Sequence, residues 1–380
     1  MSPAAPGLFP SHFPRVRTVL STLALVIGAV SAVYAQALAP RQPTLERASF
    51  HATALEGNAL GDPAEQPVLI FLPRSYRAEP QRRYPVIYLL HGLGMKPSDW
   101  EASWPGHPAL SEQLNQANVS GGLPEMIVVY ANGANAYMGS LYMNSSVEGR
   151  WEDAIVRDLV KWIDGRYRTL PQASSRAVIG LSMGGFGALR FGFLHPDIFS
   201  TVYALSPAFI GFAADFSEEN PTNVSTPGAQ SYEDLQQRVA QSRVRENYAG
   251  LFFICAAAFS PAPEEKPLPV KFPFVLRNGR VVRDLPVYQQ WMANMPLTMV
   301  DEHLRDIRQL RAIGFDVGSN DHFRHIPITV RALDKALTER GVPHFFEEFN
   351  GGHTTHTTQR LMERAFPFAA RNLLFSPEKK

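Results

Sequence analysis

Three short stretches of this chain carry residue types that can do chemistry together. Gly180-Leu181-Ser182-Met183-Gly184 follows the apolar run Ala177-Val178-Ile179 and opens the small-residue segment Gly185-Phe186-Gly187-Ala188. A serine with glycine two residues away on each side is the nucleophile-elbow pattern: a strand turns sharply into a helix with the serine at a strained apex, leaving no room for neighbouring side chains. A serine hydroxyl is a weak nucleophile near neutral pH. It needs a base within hydrogen-bonding reach and a carboxylate that holds the base in the useful tautomer. The chain order for this elbow is serine, acid, histidine. Two later loops supply candidates, Gly318-Ser319-Asn320-Asp321-His322-Phe323 and Asn350-Gly351-Gly352-His353. Asp321 sits past its strand and is preferred to Asp316, which lies inside it, although Asp321 also suits the role of a helix cap. His353 follows two glycines and is preferred to His356, which falls where the next helix begins; His322 and His325 read as surface or loop residues.

The acyl oxygen of such a reaction needs two N–H donors. Met183 N–H, at the start of the helix after the serine, is one. The loop Leu89-Leu90-His91-Gly92-Leu93-Gly94 offers Leu93 N–H as the second, with His91 assigned a structural role. No His, Cys and carboxylate cluster has metal-ligand spacing and no glycine-rich nucleotide fingerprint is present, so neither a metal nor another cofactor is expected.

The elements that must position these residues follow from apolar patterning. Val68–Leu72, Val86–Leu90, Met126–Tyr130, Ala177–Ile179, Val202–Leu205, Ile313–Val317 and His344–Phe349 read as strands. Trp151, Ile155, Leu159, Trp162 and Ile163 recur at helical spacing, and helices are also expected over Leu304–Leu310 and from about Pro327 to Arg340. Near-continuous apolar strands alternating with helices predict a doubly wound α/β fold with a mostly parallel sheet. Residues 38–380 form that domain. The segment from about Ala208 to Leu297 breaks its rhythm, with proline, aromatics and a hairpin around Asn278-Gly279, and is expected to be an inserted cap. Phe252, Phe253, Phe259, Phe272, Phe274, Tyr288 and Trp291 either line a pocket there or form the cap's own core.

At 380 residues, 45% hydrophobic and 19% charged, the chain has the composition of a soluble globular protein. A formal net charge of +1 gives no field to gather a polyanion, which argues against nucleic acid as partner. Arg15 and Arg17 precede an uncharged run from Thr18 to Tyr34 and then Ala35-Gln36-Ala37, the pattern of a signal peptide over residues 1–37, with cleavage after Ala35 as an alternative. That run is shorter than the roughly 20 residues of a spanning helix, so a secreted or periplasmic protein with no stable membrane span after cleavage is expected. Cys255 is the single cysteine, so the chain forms no intramolecular disulfide; its apolar neighbours mark it as a buried thiol.

Taken together, Tyr88-Leu89-Leu90-His91-Gly92, Gly149-Arg150-Trp151-Glu152-Asp153, Gly180-Leu181-Ser182-Met183-Gly184-Gly185 and Gly351-Gly352-His353 resemble the putative esterase family of α/β-hydrolases. That family includes esterase D (S-formylglutathione hydrolase), feruloyl esterases, enterochelin esterase-like enzymes and the antigen 85 mycolyltransferases. The resemblance covers roughly Val68 to Leu205 and Ile313 to the C-terminus. It implies an α/β-hydrolase core and a Ser-Asp/Glu-His triad carried onto Ser182, Asp321 and His353, and Asp321-His322-Phe323 after Gly318 is similar to the acid loop of esterase D. It also implies a small-molecule or carbohydrate-linked ester as substrate, cleaved through an acyl-enzyme. Acyl transfer to a sugar or lipid acceptor is the alternative, and a non-catalytic binding protein on the same scaffold a more distant one. The long cap departs from the compact members, so substrate identity does not transfer.

Overall fold

The computed structural model describes residues 44–102, 108–220, 223, 229–241 and 249–378. The expected signal peptide and parts of the expected cap lie outside the described residues. The strands longer than two residues are β1 (Thr44–His51), β2 (Glu65–Leu72), β3 (Val86–Leu90), β4 (Ile127–Ala131), β5 (Arg176–Leu181), β6 (Thr201–Leu205), β7 (Phe274–Arg277), β8 (Arg280–Arg283), β9 (Ala312–Gly318) and β10 (Phe345–Phe349). Eight of them form one sheet in the order β1-β2-β4-β3-β5-β6-β9-β10, and β7 with β8 makes a separate hairpin. The sheet is parallel from β4 to β10, while β2 runs antiparallel to both β1 and β4. Every residue of β3, β4, β5 and β6 is buried, as expected where helices cover both faces of a parallel sheet.

Strand β1 falls in the stretch that reads from sequence as a polar lead. Its residues are mostly half-buried or exposed, with Glu46 and Arg47 adjacent, because it is the sheet's outer edge and buries only Phe50 fully. Charged edge strands of this kind protect a sheet from further pairing and carry little apolar signal.

Helix α1 (Leu110–Ser120) precedes β4. Helix α2 runs continuously through Trp151–Asp153, Ala154–Leu159 and Val160–Arg166, the middle piece π-helical, and buries Trp151, Ile155, Leu159 and Ile163 as the spacing predicts. Helix α3 (Met183–Leu194) follows β5 directly and is buried along almost its whole length. Helices α4 (Tyr232–Gln241), α5 (Ala249–Phe259), α6 (Leu285–Ala293) and α7 (Pro296–Glu302) belong to the irregular segment and its end. The expected helix at Leu304–Leu310 is one turn, α8 (Leu304–Ile307), and α9 spans His325–Glu339, starting two residues earlier than its proline suggests. After β10, Thr357–Arg360, Leu361–Ala365 and Phe366–Asn372 form α10.

The aromatic residues between β6 and α7 pack chiefly on one another. Phe252 and Trp291 have ring centroids 4.8 Å apart, Phe216 and Phe252 5.7 Å, and Phe212 and Trp291 5.8 Å, with the Trp291 indole N–H donating to Ser260 Oγ at 2.7 Å. They are core, and Cys255 is buried among them.

Candidate active site

Ser182 has φ 57° and ψ −114°, a conformation that costs an L-residue on the order of 1–3 kcal/mol and must be held by its surroundings. The two glycines show why the turn tolerates nothing larger. A Cβ on Gly180 would lie 2.0 Å from Gly184 O, and one on Gly184 2.3 Å from Leu90 O, both impossible contacts with backbone. The turn is anchored from β6, where Ser182 N–H donates to Leu205 O at 2.9 Å and Ala208 N–H to Ser182 O at 3.1 Å. Met183 is then the first residue of α3, where amides have no acceptor within the helix.

Loop 91–94 passes directly beside the serine. A Cβ on Gly92 would sit 3.5 Å from Ser182 Cβ, so Gly92 is where the backbone makes its close approach. His91 fixes the path of that loop: its Nδ1–H donates to Gly92 O at 2.9 Å, and its Nε2 accepts Gly133 N–H at 2.9 Å. With both nitrogens engaged and burial pushing its pKa down, His91 is a structural brace, as expected. Gly94 N–H donates to Met138 O at 3.0 Å, closing the loop on the segment after β4.

The structure brings the serine and the two later loops together. Ser182 Oγ lies 2.8 Å from His353 Nε2, and His353 Nδ1 lies 2.7 Å from Asp321 Oδ2. Asp321 Oδ1 accepts Phe323 N–H at 2.9 Å, which fixes the carboxylate's orientation. The histidine loop is close because glycines allow it: a Cβ on Gly318 would meet Gly351 O at 2.4 Å. Phe323 packs edge-on to His353 with centroids 5.0 Å apart.

The rival residues lie elsewhere. Asp316 is buried in β9, paired with Arg360 and receiving the Tyr203 hydroxyl at 3.2 Å; burial raises its pKa and Arg360 opposes the rise. His356 is exposed, at φ 54°, where α10 begins. His322 is exposed as expected. His325 is not a surface or loop residue: it is the first residue of α9, 1% exposed, with Nδ1 2.9 Å from Asp215 Oδ1. The sequence pattern misses this contact because Asp215 comes from the irregular segment, more than a hundred residues away.

A cavity of about 160 Å³ opens at Ser182 and His353, with Leu93, Phe209, Leu251 and His325 among its walls. Of the aromatics named from sequence as possible pocket residues, none is among the lining residues; the irregular segment reaches the cavity through Phe209 and Leu251 instead. The wall is mainly apolar. Among the described residues no group of three or more His, Cys, Asp or Glu is placed to hold a metal ion, and no helix is long and apolar enough to cross a membrane.

A family model described as "Putative esterase" matches residues 62–368. Esterase Rv1288 of Mycobacterium tuberculosis is 36% identical over 125 residues, which is 33% of this chain and 25% of that protein. The endo-1,4-beta-xylanase/feruloyl esterase of Xylanibacter ruminicola is 31% identical over 135 residues, 34% of this chain and 18% of that protein. The match therefore spans a quarter or less of the length of these curated relatives. Among solved structures, a ferulic acid esterase superposes with a TM-score of 0.60 at 20% identity, covering 87% of this chain and 99% of its own. An S-formylglutathione hydrolase from Agrobacterium tumefaciens superposes with a TM-score of 0.55 at 13% identity, covering 87% and 96%. At these identities the structural likeness speaks to the fold, that of the α/β-hydrolases.

Proposed function

Because the chain belongs to the "Putative esterase" family, we propose that it is a serine carboxylic-ester hydrolase in which Ser182 is the nucleophile, His353 the base and Asp321 the residue that orients it. The observation that carries this reading is the unbroken line of hydrogen bonds from Ser182 Oγ to His353 to Asp321, at 2.8 and 2.7 Å. Asp321 accepts from Nδ1–H, which leaves the Nε2 lone pair facing the serine hydroxyl. His353 takes the Ser182 proton as Oγ attacks the ester carbonyl. In this reading the amides of Leu93, on the loop that His91 braces, and Met183, at the start of α3, hold the negative oxygen. His353 returns the proton to the departing alcohol, leaving Ser182 acylated. Water, deprotonated by His353, then releases the acid.

Ester-cleaving names among the relatives support the reaction class, and the apolar cavity beside Ser182 supports a small ester over a polymer threaded through a groove. The segment between Ala208 and Leu297 acts in this reading as a cap, contributing Phe209 and Leu251 to the wall. Export is part of the proposal and is supported by Arg15, Arg17, the uncharged run to Tyr34 and the Ala35-Gln36-Ala37 site. N-terminal sequencing of the mature protein from medium or periplasm tests export, with Leu38 or Gln36 expected as first residue. A fluorophosphonate probe, which reacts only with an activated serine, is expected to label Ser182. Recovery of the label on another residue, or its absence, overturns the assignment.

A further inference from the structure

The cavity holds a second histidine that the chemistry above leaves idle. His325 backbone N–H and Nδ1 both meet Asp215 Oδ1, at 2.8 and 2.9 Å, and Asp215 Oδ2 accepts Arg324 N–H at 2.8 Å. Histidine and aspartate are each 1% exposed. Phe216 and Phe209 pack against the imidazole from one side, with centroids 5.1 and 6.3 Å from it and 5.3 Å from each other. A carboxylate only accepts, so a proton sits on Nδ1, and in the neutral imidazole Nε2 then presents a lone pair. That Nε2 is buried and has no hydrogen-bond partner among the described residues, and His325 is one of the residues that line the cavity together with Ser182 and His353. Buried acceptors are almost always satisfied, and one left without a partner on a residue that lines a ligand cavity points to a donor on the ligand.

Resting on the serine-esterase reading, we infer that His325 determines specificity, its Nε2 accepting a hydrogen bond from a hydroxyl group on the acyl part of the ester. The acyl part is the one that stays on Ser182 through both half-reactions, so an enclosed pocket beside the serine suits it; the alcohol leaves past His353 after the first. The apolar walls formed by Ala208, Phe209, Leu251, Phe323 and Ile326 disfavour a charged acyl group. An Nε2 lone pair likewise repels a carboxylate or phosphate. The expected substrate is a short, otherwise apolar acyl ester bearing one hydroxyl.

The test compares matched ethyl esters followed by proton release: butanoate against 2- and 3-hydroxybutanoate, and hexanoate against 5-hydroxyhexanoate. Each kcat/KM is divided by the ester's alkaline hydrolysis rate to remove intrinsic reactivity. A site built to bond a hydroxyl discriminates strongly against the analogue that leaves its acceptor empty. The wild type is therefore expected to prefer at least one hydroxy ester over its partner by about tenfold or more. His325→Phe keeps the ring and removes the acceptor. It is expected to erase that preference, the hydroxy ester losing at least about tenfold more of its kcat/KM than the deoxy ester does. His325→Gln, a smaller change that retains an acceptor, serves if the phenylalanine variant does not fold, with a partial loss of preference expected. Absence of any hydroxy preference in the wild type overturns the inference without recourse to a variant. So does a preference that survives unchanged in the folded variants. If Ser182→Ala retains turnover of ethyl butanoate, the esterase reading beneath it falls instead; if that turnover is abolished, only the role of His325 is at stake.

Discussion

Two buried histidines face one cavity, each with Nδ1 on a buried aspartate, and they differ in what stands at Nε2. For His353 it is Ser182 Oγ at 2.8 Å; for His325 it is no polar group among the described residues. A histidine–aspartate pair thus does not by itself make a base. The aspartate fixes the tautomer in both cases, and the group at the far nitrogen decides whether that tautomer takes a proton from a nucleophile or waits for a donor from outside. Their mountings differ in the same sense. Asp321 reaches His353 across two loops that follow neighbouring strands β9 and β10, whereas Asp215 holds the backbone of Arg324 and His325 at the start of α9 as well as the ring.

The strongest way to break this contrast is to remove the nucleophile. Ser182→Ala is expected to lower p-nitrophenyl acetate turnover by about 10⁴-fold or more while the thermal transition stays within a few degrees of wild type. Retained activity would mean that the Nε2 partner is irrelevant and the comparison empty. Next comes the histidine itself. His353→Ala should cost on the order of 10³-fold or more in kcat, and His356→Ala, at an exposed position outside the hydrogen-bonded line, less than about threefold. Equal losses would show that the base had been misassigned.

The same substitution at the two aspartates sharpens the contrast further. Asp321→Asn disturbs the tautomer of the base and is expected to lower kcat on the order of 10²- to 10⁴-fold with little change in stability. Asp215→Asn keeps one oxygen, so the three bonds from Arg324 N–H, His325 N–H and His325 Nδ1–H lose their charge assistance and at least one loses its acceptor. Its expected signature is a loss of about 1–3 kcal/mol in denaturant unfolding with kcat on p-nitrophenyl acetate within about fivefold of wild type. A large fall in kcat with stability intact would place His325 in the acyl-transfer step.

The two histidines were also unequally legible. His353, Asp321 and Ser182 stand in short loops after apolar strands, with glycines at the close approaches, and each of those signals is local. The parallel core was readable for the same reason, since β3 to β6 are apolar runs buried on both faces. His325 reads from sequence as a loop residue because Pro327 marks the start of the strong helical pattern of α9 after it, and its partner lies in a segment with no periodicity. Long-range polar pairs leave no pattern in a single sequence. Strand β1 escaped for a different reason: as an edge it is half-solvated and charged, so its alternation is diluted.

Glu148 is the smallest case and separates an open acceptor that serves a ligand from one that serves nothing. Like His325 Nε2, its two carboxyl oxygens are buried and meet no close hydrogen-bond donor among the described residues, the Asn135 side chain acting on the carboxyl only weakly, but Glu148 is not among the residues lining the cavity at Ser182. Burial pushes its pKa up to about 8. The folded protein therefore holds a proton there that the unfolded chain, with an ordinary carboxyl, releases near pH 4.5. Between those values the native state binds the extra proton. The stability this protonation confers is complete at acid pH below the unfolded value and is lost as pH climbs toward 8, on the order of a few kcal/mol in all. Glu148→Gln removes the ionisation and keeps the shape. Denaturant unfolding at pH 5 and pH 8.5 is expected to show the wild type losing more stability over that interval than the variant, with kcat unchanged between them at pH 7. A variant whose pH slope matches the wild type, or whose turnover collapses, would show that this buried carboxyl has a partner after all and belongs with the site.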